Sequence, residues 1–474
     1  MSETPSQQTT DASTDKPSSV TGGDKPRVLI VGAGLAGLML ALLLEKINIP
    51  YQVFERASKI RPLGSALSLG ANILPVFEQL GMLQDIIDIS YPVLSQVLYD
   101  ANMKQIGKMS MKDYKGVTGY DTLVFARPQL HELMLSRVPA EKVLMNKKVL
   151  SIEQNQLGAM IRCNDNTQYH GDIIVGADGA YSGVRQALYK RLEAKGMLPK
   201  SDAESLEAGF ITMVGTTDPM DPERYPCLKE PVVDFSVVIG GQHLSWVTLT
   251  LPNNRVGWGV AIQFATPEEA KEVQFRNSEW GPEAIEEMIG RFRDRKLPIG
   301  GTIGDLIDAT PKDLISKVYL DEKMFETWHH GRTVLIGDAC HKMLLSAGQG
   351  AINAMQDSVI LANAIYDLKS SNPDELKEAF QSYQTQRYPH AKFQYMNSKM
   401  VSKLMTGQKL SERMMRSVAF NYLPDWVIMR GFIKSSSYRP QAVFLPLVEN
   451  RGSCKVLPQE PSRRAEEEKA ATSI

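Results

Sequence analysis

Cysteine is scarce in this chain, at four in 474 residues. Cys163, Cys227, Cys340 and Cys454 lie far apart, form no CxxC pair and have no histidine cluster beside them. That spacing argues against a disulfide framework and a zinc site, and it fits a reducing compartment such as the cytoplasm. Net charge is nearly absent too: 53 Lys and Arg against 54 Asp and Glu leave −1, so no global field draws the molecule to nucleic acid or anionic lipid. Long apolar runs are missing with one exception, the uncharged stretch Val28–Leu44. It sits at the short edge of the roughly 17–25 residues a spanning helix needs, and three early glycines give it another explanation. The first 26 residues are polar and rich in Ser, Thr, Asp and Pro, without the basic-then-apolar order of a secretory signal, so 1–26 reads as a disordered leader. No internal repeat is visible. The remaining bulk numbers, 43% hydrophobic and 23% charged, are those of an ordinary globular protein long enough for two or more lobes.

The three glycines belong to a strand–turn–helix pattern. Residues 27–31 read RVLIV, suited to a buried parallel strand, and Gly32-Ala-Gly34-Leu-Ala-Gly37 follows at once before a helical run from Leu38 to Ile47. A second strand over 50–55 ends in the acid Glu55. In a dinucleotide fold Gly32 permits the tight turn, Gly34 lets the backbone approach a pyrophosphate, and Gly37 allows helix to pack closely on strand. The helix N-terminus then faces the phosphates, and Glu55 stands where an acid accepts hydrogen bonds from an adenosine ribose. A glycine turn without a ligand is the bland alternative, and the motif alone does not separate FAD from NAD.

Two further segments repeat the theme. Residues 171–185 read GDIIVGADGAYSGVR, with Asp178 after an apolar strand and Arg185 at a helix start. Residues 333–357 read TVLIGDACHKMLLSAGQGAINAMQD, with Asp338 after another apolar strand and Gly348-Gln-Gly350 opening a helix from Ala351. Ligands bind at such strand ends in open α/β sheets, and a glycine loop before a helix offers backbone N–H groups to a ring that becomes anionic on reduction. Either aspartate alone is equally read as a helix cap; three strand-end sites in one chain favour a shared ligand.

With GxGxxG, DG and GD motifs in this order, the chain over roughly 26–395 resembles the single-component FAD-dependent monooxygenases, the flavoprotein hydroxylases. It resembles in particular fungal enzymes of secondary metabolism, including epoxidases of prenylated or terpenoid substrates, down to Leu423-Pro-Asp-Trp426 and Phe444-Leu-Pro446 near its end. The resemblance implies bound FAD, NAD(P)H and O2 as co-substrates, and transfer of one oxygen atom to a lipophilic or aromatic small molecule by a flavin C4a-hydroperoxide. It implies Glu55 at the ribose, Arg127 against the FAD, Asp338 on the ribityl chain, Gly350 and Ala351 with backbone amides at the isoalloxazine, and Ser68 near a position often glycine. Asp178 and Arg185 match the DG motif, which the family uses for FAD and for passing NAD(P)H. Two departures stand out: Lys342 and Leu345 occupy places where relatives often have proline, and Phe210–Gly215 carries no Arg-Tyr pair, which weakens a phenol-hydroxylase reading.

The expected fold class is α/β: a Rossmann-like FAD-binding domain from 27–95, 121–200 and 301–390, with an inserted substrate domain from 96–120 and 201–300. Strands over 232–239, 243–251 and 255–263 predict a mainly antiparallel sheet roofing the flavin. Trp246, Trp258 and His243 are either sheet core or pocket lining. A C-terminal helical region and tail fill 391–474. Within the helical pattern of 378–417, Met396, Met400 and Met405 interleave with Lys399, Lys403, Lys409 and Arg413, which suits packing on the FAD lobe or contact with a membrane surface. No catalytic side chain is assigned, because the cofactor carries the hard step. His341 and Cys340 beside the GD motif read as structural. A reductase or oxidase on the same scaffold, or a non-catalytic flavin-binding redox protein, remains the alternative.

Overall fold

The structure is a computed structural model that describes residues 25–241, 243–264, 282–344, 348–406 and 410–472. The leader expected over 1–26 lies outside these almost entirely, as do Leu345 and Lys409.

A six-stranded sheet organises the FAD lobe. Its order is His329–His330, β4 (Thr333–Leu335), β3 (Ile173–Gly176), β1 (Val28–Val31), β2 (Tyr51–Phe54) and Val143–Leu144. All neighbours run parallel except the first pair. Every residue of β1 is buried, as expected of a strand covered on both faces. Helix α1 (Leu35–Lys46) is buried at every position from Leu35 to Leu44, because the sheet lies beneath it and helix α4 (Gly350–Tyr366) lies across it. Ser358 Oγ of α4 donates to Ala36 O at 2.8 Å, a contact that locks the two helices. The uncharged run Val28–Leu44 is therefore strand plus core helix. Among the described residues, no helix is long and apolar enough to cross a membrane.

The roof is an eight-stranded sheet in the order His341–Lys342, Ser316–Met324, Glu207–Thr216, Arg255–Gln263, Leu244–Leu251, Phe235–Gly241, Ser95–Asp100 and Gln105–Ser110. It is antiparallel throughout except where Phe235–Gly241 pairs with Ser95–Asp100. Two boundaries move. Ser316–Met324, expected in the FAD lobe, hydrogen-bonds along Glu207–Thr216 in the roof. Helix α5 (Pro373–Thr406) runs unbroken through the expected division at 390.

The two faces of the roof settle the tryptophans. Trp246 and Trp258 are buried against the helices Pro282–Phe292 and Ile303–Asp308, with Trp258 Nε1 donating to Thr310 Oγ1 at 2.9 Å and Trp246 Nε1 to Lys296 O at 3.1 Å. Both are sheet core, on the face away from the FAD lobe. Gly257, their neighbour on the other face, would put a Cβ 3.0 Å from Ser65 Oγ and 3.1 Å from Ala66 Cβ, so this face lies on the FAD lobe. His243 occupies an exposed left-handed turn position (φ 63°) at the end of the Phe235–Gly241 and Leu244–Leu251 hairpin. The lobe-side face also carries Leu98, Val237 and Ile239, packed under Met405, Val401 and Leu404 at the end of α5.

Candidate functional site: a flavin cleft

Where β1 meets α1, the three motif glycines divide the work between fold and cleft. Gly32 has φ +109°, and a Cβ there would meet Ala177 O at 2.4 Å. A Cβ at Gly37 would meet Gly32 O at 2.0 Å, so α1 packs on its own turn only without a side chain. Gly34, by contrast, has nothing within 4 Å of its would-be Cβ; it opens onto the cleft at the N-cap of α1. Glu55 holds the turn from the end of β2: its Oε2 accepts from Ala33 N at 3.0 Å and its Oε1 from Ala57 N at 2.9 Å.

On the other side, Ala33 O accepts from His131 Nε2 at 2.7 Å. His131 lies one turn beyond Arg127 on helix α2 (Arg127–Ser136), a position the sequence reading passed over. Its spacing from Arg127, four residues along one helix face, was the available signal. Burial pulls the His131 pKa down, so the imidazole is a neutral hydrogen-bonding strut. Arg127 itself reaches solvent in the open cleft, yet surrounding protein depresses its pKa and Asp338 opposes that shift. Its Nη1 donates to Leu63 O at 3.1 Å.

Asp338 stands on the 3₁₀ turn Gly337–Ala339 after β4. It is half-buried, and its carboxylate has no hydrogen-bond partner among the described residues. Burial raises its pKa, against the lowering effect of Lys342, His341, Arg127 and Arg185. Gly337 (φ +63°) lets this turn sit on α4, where a Cβ would meet Ala354 Cβ at 2.9 Å. At the start of α4, Gly350 is open on its Cβ side, and Ala351 is half-buried beside it. Ser68 Oγ lies 3.1 Å from where Gly348 would carry a Cβ, which brings the strand Ala66–Leu69 against the glycine loop. Asn72 Nδ2 donates to Gln349 Oε1 at 3.1 Å and fixes the loop from the same side.

The DG-motif pair is engaged within the protein. Asp178 caps helix α3 (Gly183–Ala194), accepting from Ser182 Oγ and from Val184 N at 3.2 Å. Arg185 is buried over the Phe325 ring, with Nη1 donating to Ala339 O at 2.9 Å and Nη2 to Ala180 O at 2.6 Å. The arginine thus ties the DG turn to the GD turn. Lys342, the residue standing where relatives often have proline, is buried with Nζ 3.7 Å from Asp321 Oδ2, and Tyr181 donates to the same oxygen.

Under the GD turn lies a cluster the sequence did not announce. Asp357 of α4 is fully buried and accepts from Gly337 N at 2.8 Å, His341 Nε2 at 2.6 Å and Arg387 Nε at 2.7 Å. Burial alone would raise its pKa; His341 and Arg387 outweigh that and hold it below the usual carboxylate range. His341 and Cys340 are buried, so both are structural in position.

The arrangement fits FAD: an open glycine turn at a helix N-terminus for a pyrophosphate, an unpartnered carboxylate for sugar-alcohol hydroxyls, and a second open helix start for an anionic ring. A family model described as FAD binding domain matches residues 25–215 and 303–398. The chain belongs to the FAD-dependent monooxygenase family. This flavoprotein is 29% identical to the FAD-dependent monooxygenase ptmM of Penicillium ochrochloron over 79% of its chain and 88% of that relative. It is 26% identical to the FAD-dependent monooxygenase ausM of Penicillium brasilianum, over 90% and 89%. In fold it is similar to Klebsiella pneumoniae HpxO complexed with FAD and uric acid, at a TM-score of 0.67 and 18% identity over 87% and 97% of the two chains. It is also similar to 2,6-dihydroxypyridine-3-hydroxylase of Arthrobacter nicotinovorans, at 0.64 and 19% over 82% and 95%.

Proposed function

We propose that this flavoprotein uses NAD(P)H and O2 to insert one oxygen atom into a lipophilic or aromatic small molecule by epoxidation or hydroxylation. The balance is substrate plus O2, NAD(P)H and a proton, giving oxygenated substrate, water and NAD(P)+. FAD, when bound, supplies the electron transfer and the oxygen activation. The protein's own residues position and shield. Gly34 and the α1 N-terminus take the pyrophosphate, Glu55 and Arg127 flank the adenosine side, and Asp338 accepts from the ribityl hydroxyls. Ser68, Gly350 and Ala351 border the ring, while Asp178 and Arg185 hold the DG turn against the GD turn. The four free cysteines support a cytoplasmic setting.

The observation that carries this reading is Asp338, a carboxylate at a strand end with no partner among the described residues. Asp338→Asn is expected to weaken FAD binding about 10- to 100-fold, the worth of one or two charge-assisted hydrogen bonds, as read by flavin fluorescence titration. The same change should stabilise the apoprotein. A raised folded-state pKa means that Asp338 contributes stability below the ordinary aspartate range and loses it as pH rises through the raised value. The variant's apo melting temperature should therefore exceed wild type at neutral pH and converge with it in acid.

Activity is tested by absorbance spectra with anaerobic NADPH, then by ¹⁸O2 incorporation with prenylated and aromatic substrates. Flavin bands bleached by NADPH together with labelled product support the proposal. Bleaching with oxygen uptake but no labelled product from any substrate points to a reductase or oxidase. A protein that cannot be reconstituted with FAD overturns the reading.

A further inference from the structure

More than half of the large apolar side chains exposed among the described residues fall within 396–426. Helix α6 (Leu410–Asn421) shows why. Leu410, Met414 and Val418 recur every four residues and are 73%, 61% and 50% exposed. Tyr422, Leu423 and Trp426 continue the surface at 77%, 41% and 58%, at the entry to helix α7 (Asp425–Ser437). The inner sides of these helices are committed: Phe420 packs where Gly107 leaves space in the roof's edge strand, and Met429 and Phe432 join a small core with Val93 and Tyr114. The outward apolar side has no protein covering it among the described residues. Met396 and Met400 of α5, 57% and 64% exposed, add to the same segment's apolar surface.

Charge separates this region from the rest of the chain. Among the described residues of 392–437, seven are Lys or Arg and two are acidic, whereas the whole chain carries −1. Lys392, Lys403, Arg413, Arg430 and Lys434 are exposed and form no ion pair among the described residues. Arg430 sits 4.7 Å over the Trp426 ring and Lys434 4.6 Å over Phe393, so cations border apolar rings. An apolar side with a tryptophan, flanked by unpaired cations, complements an anionic bilayer surface. A second copy of this chain would bring the same cations against themselves.

We propose that α6, the 422–426 turn and α7 dock the enzyme on an anionic lipid bilayer, lying in its interface without crossing it. Phe420 on the inner side of α6 and Met405 at the end of α5 both pack on the lobe-side face of the roof, so the docked surface is braced by the fold. The docking inference stands on surface residues alone and needs no turnover.

The test is cosedimentation of the full-length, FAD-loaded protein with vesicles of phosphatidylcholine, alone or with about a third phosphatidylserine. At about 0.1 M salt, where screening acts beyond about 10 Å, anionic vesicles should bind the protein at least tenfold better than neutral ones. Arg413→Glu and Arg430→Glu should each lower that binding about fivefold or more. Val418→Glu with Trp426→Glu should reduce binding to both vesicle types. All four sites are exposed, so flavin content and circular dichroism should match wild type. Binding to neither vesicle, or apolar variants that bind like wild type, overturns the proposal. So does a lipid-free dimer, seen by sedimentation velocity, that the same variants disperse.

Discussion

Gly37→Val is expected to yield no folded protein, while Gly34→Val, three residues earlier, is expected to fold and to lose FAD. The contrast rests on what each missing Cβ would meet. At Gly37 it would lie 2.0 Å from the carbonyl oxygen of Gly32 and 3.2 Å from its carbon. Both are backbone atoms of the turn, and Gly32 is itself wedged against Ala177. Neither side can retreat without parting α1 from β1, which are both wholly buried at this point. Overpacking against backbone exceeds the usual cost of about 1–3 kcal/mol for extra core methylenes, and a few such increments consume most of a domain's stability. At Gly34 nothing lies within 4 Å, so the side chain would project into the cleft at no cost to the fold. There it would occupy the space the pyrophosphate needs, and FAD affinity should fall more than 100-fold. Melting curves of the apoproteins and flavin retention on gel filtration separate the two effects. A Gly34→Val protein that retains FAD at wild-type stoichiometry would remove the glycine turn from the site.

Asp357→Asn should lower the melting temperature by more than any change on the surface. The carboxylate accepts from a backbone amide, a histidine and an arginine, and neither it nor Arg387 touches solvent. Asparagine leaves a buried guanidinium without its counter-charge, a loss of about 3–5 kcal/mol when one partner of a buried pair is removed. Direction with pH provides a second check. A depressed folded-state pKa contributes stability above the ordinary aspartate range and loses it as pH falls through the lower value. The gap between wild type and variant should therefore be widest at neutral pH and shrink in acid. The substitution would also loosen Gly337, since Gly337 N is held by the same oxygen that His341 shares. The variant should consequently bind FAD more weakly through a displaced Asp338, and Asp357→Glu should rescue less than its charge suggests because an added methylene must fit where the side chain is fully buried.

The strand-end motifs were legible because a glycine turn is local chemistry: Gly32, Gly34, Gly37 and the acid that follows are fixed by a few adjacent residues. The lobe to which a strand belongs is decided by partners far away. Ser316–Met324 buries Tyr319, Asp321 and Lys323 in alternation, but its sequence runs Val-Tyr-Leu and then Asp-Glu-Lys without an apolar–polar alternation, and nothing within it says that it pairs with Glu207–Thr216 rather than with β4. Trp246 and Trp258 share one face of the roof through the register between their two strands, which neither strand states alone, and the helices at 282–292 and 303–308 make that face core. The buried Asp357, His341 and Arg387 come from two helices and a short roof strand, and each looked ordinary in its own segment. Sequence could name candidate cofactor contacts sooner than the buried groups that hold those residues in place.

The strand order has a consequence for biosynthesis. β3 ends at Gly176, but its neighbour β4 begins only at Thr333, and α4, which closes over α1, comes later still. At ribosomal rates of about 5–20 residues per second, the edge of β3 waits on the order of 10–30 s for its partner after leaving the tunnel. Throughout that interval the uncharged face of α1 lacks its cover. Synthesis of this chain is thus a period of exposure to chaperones and to aggregation, and the flavin cleft is a late product of it.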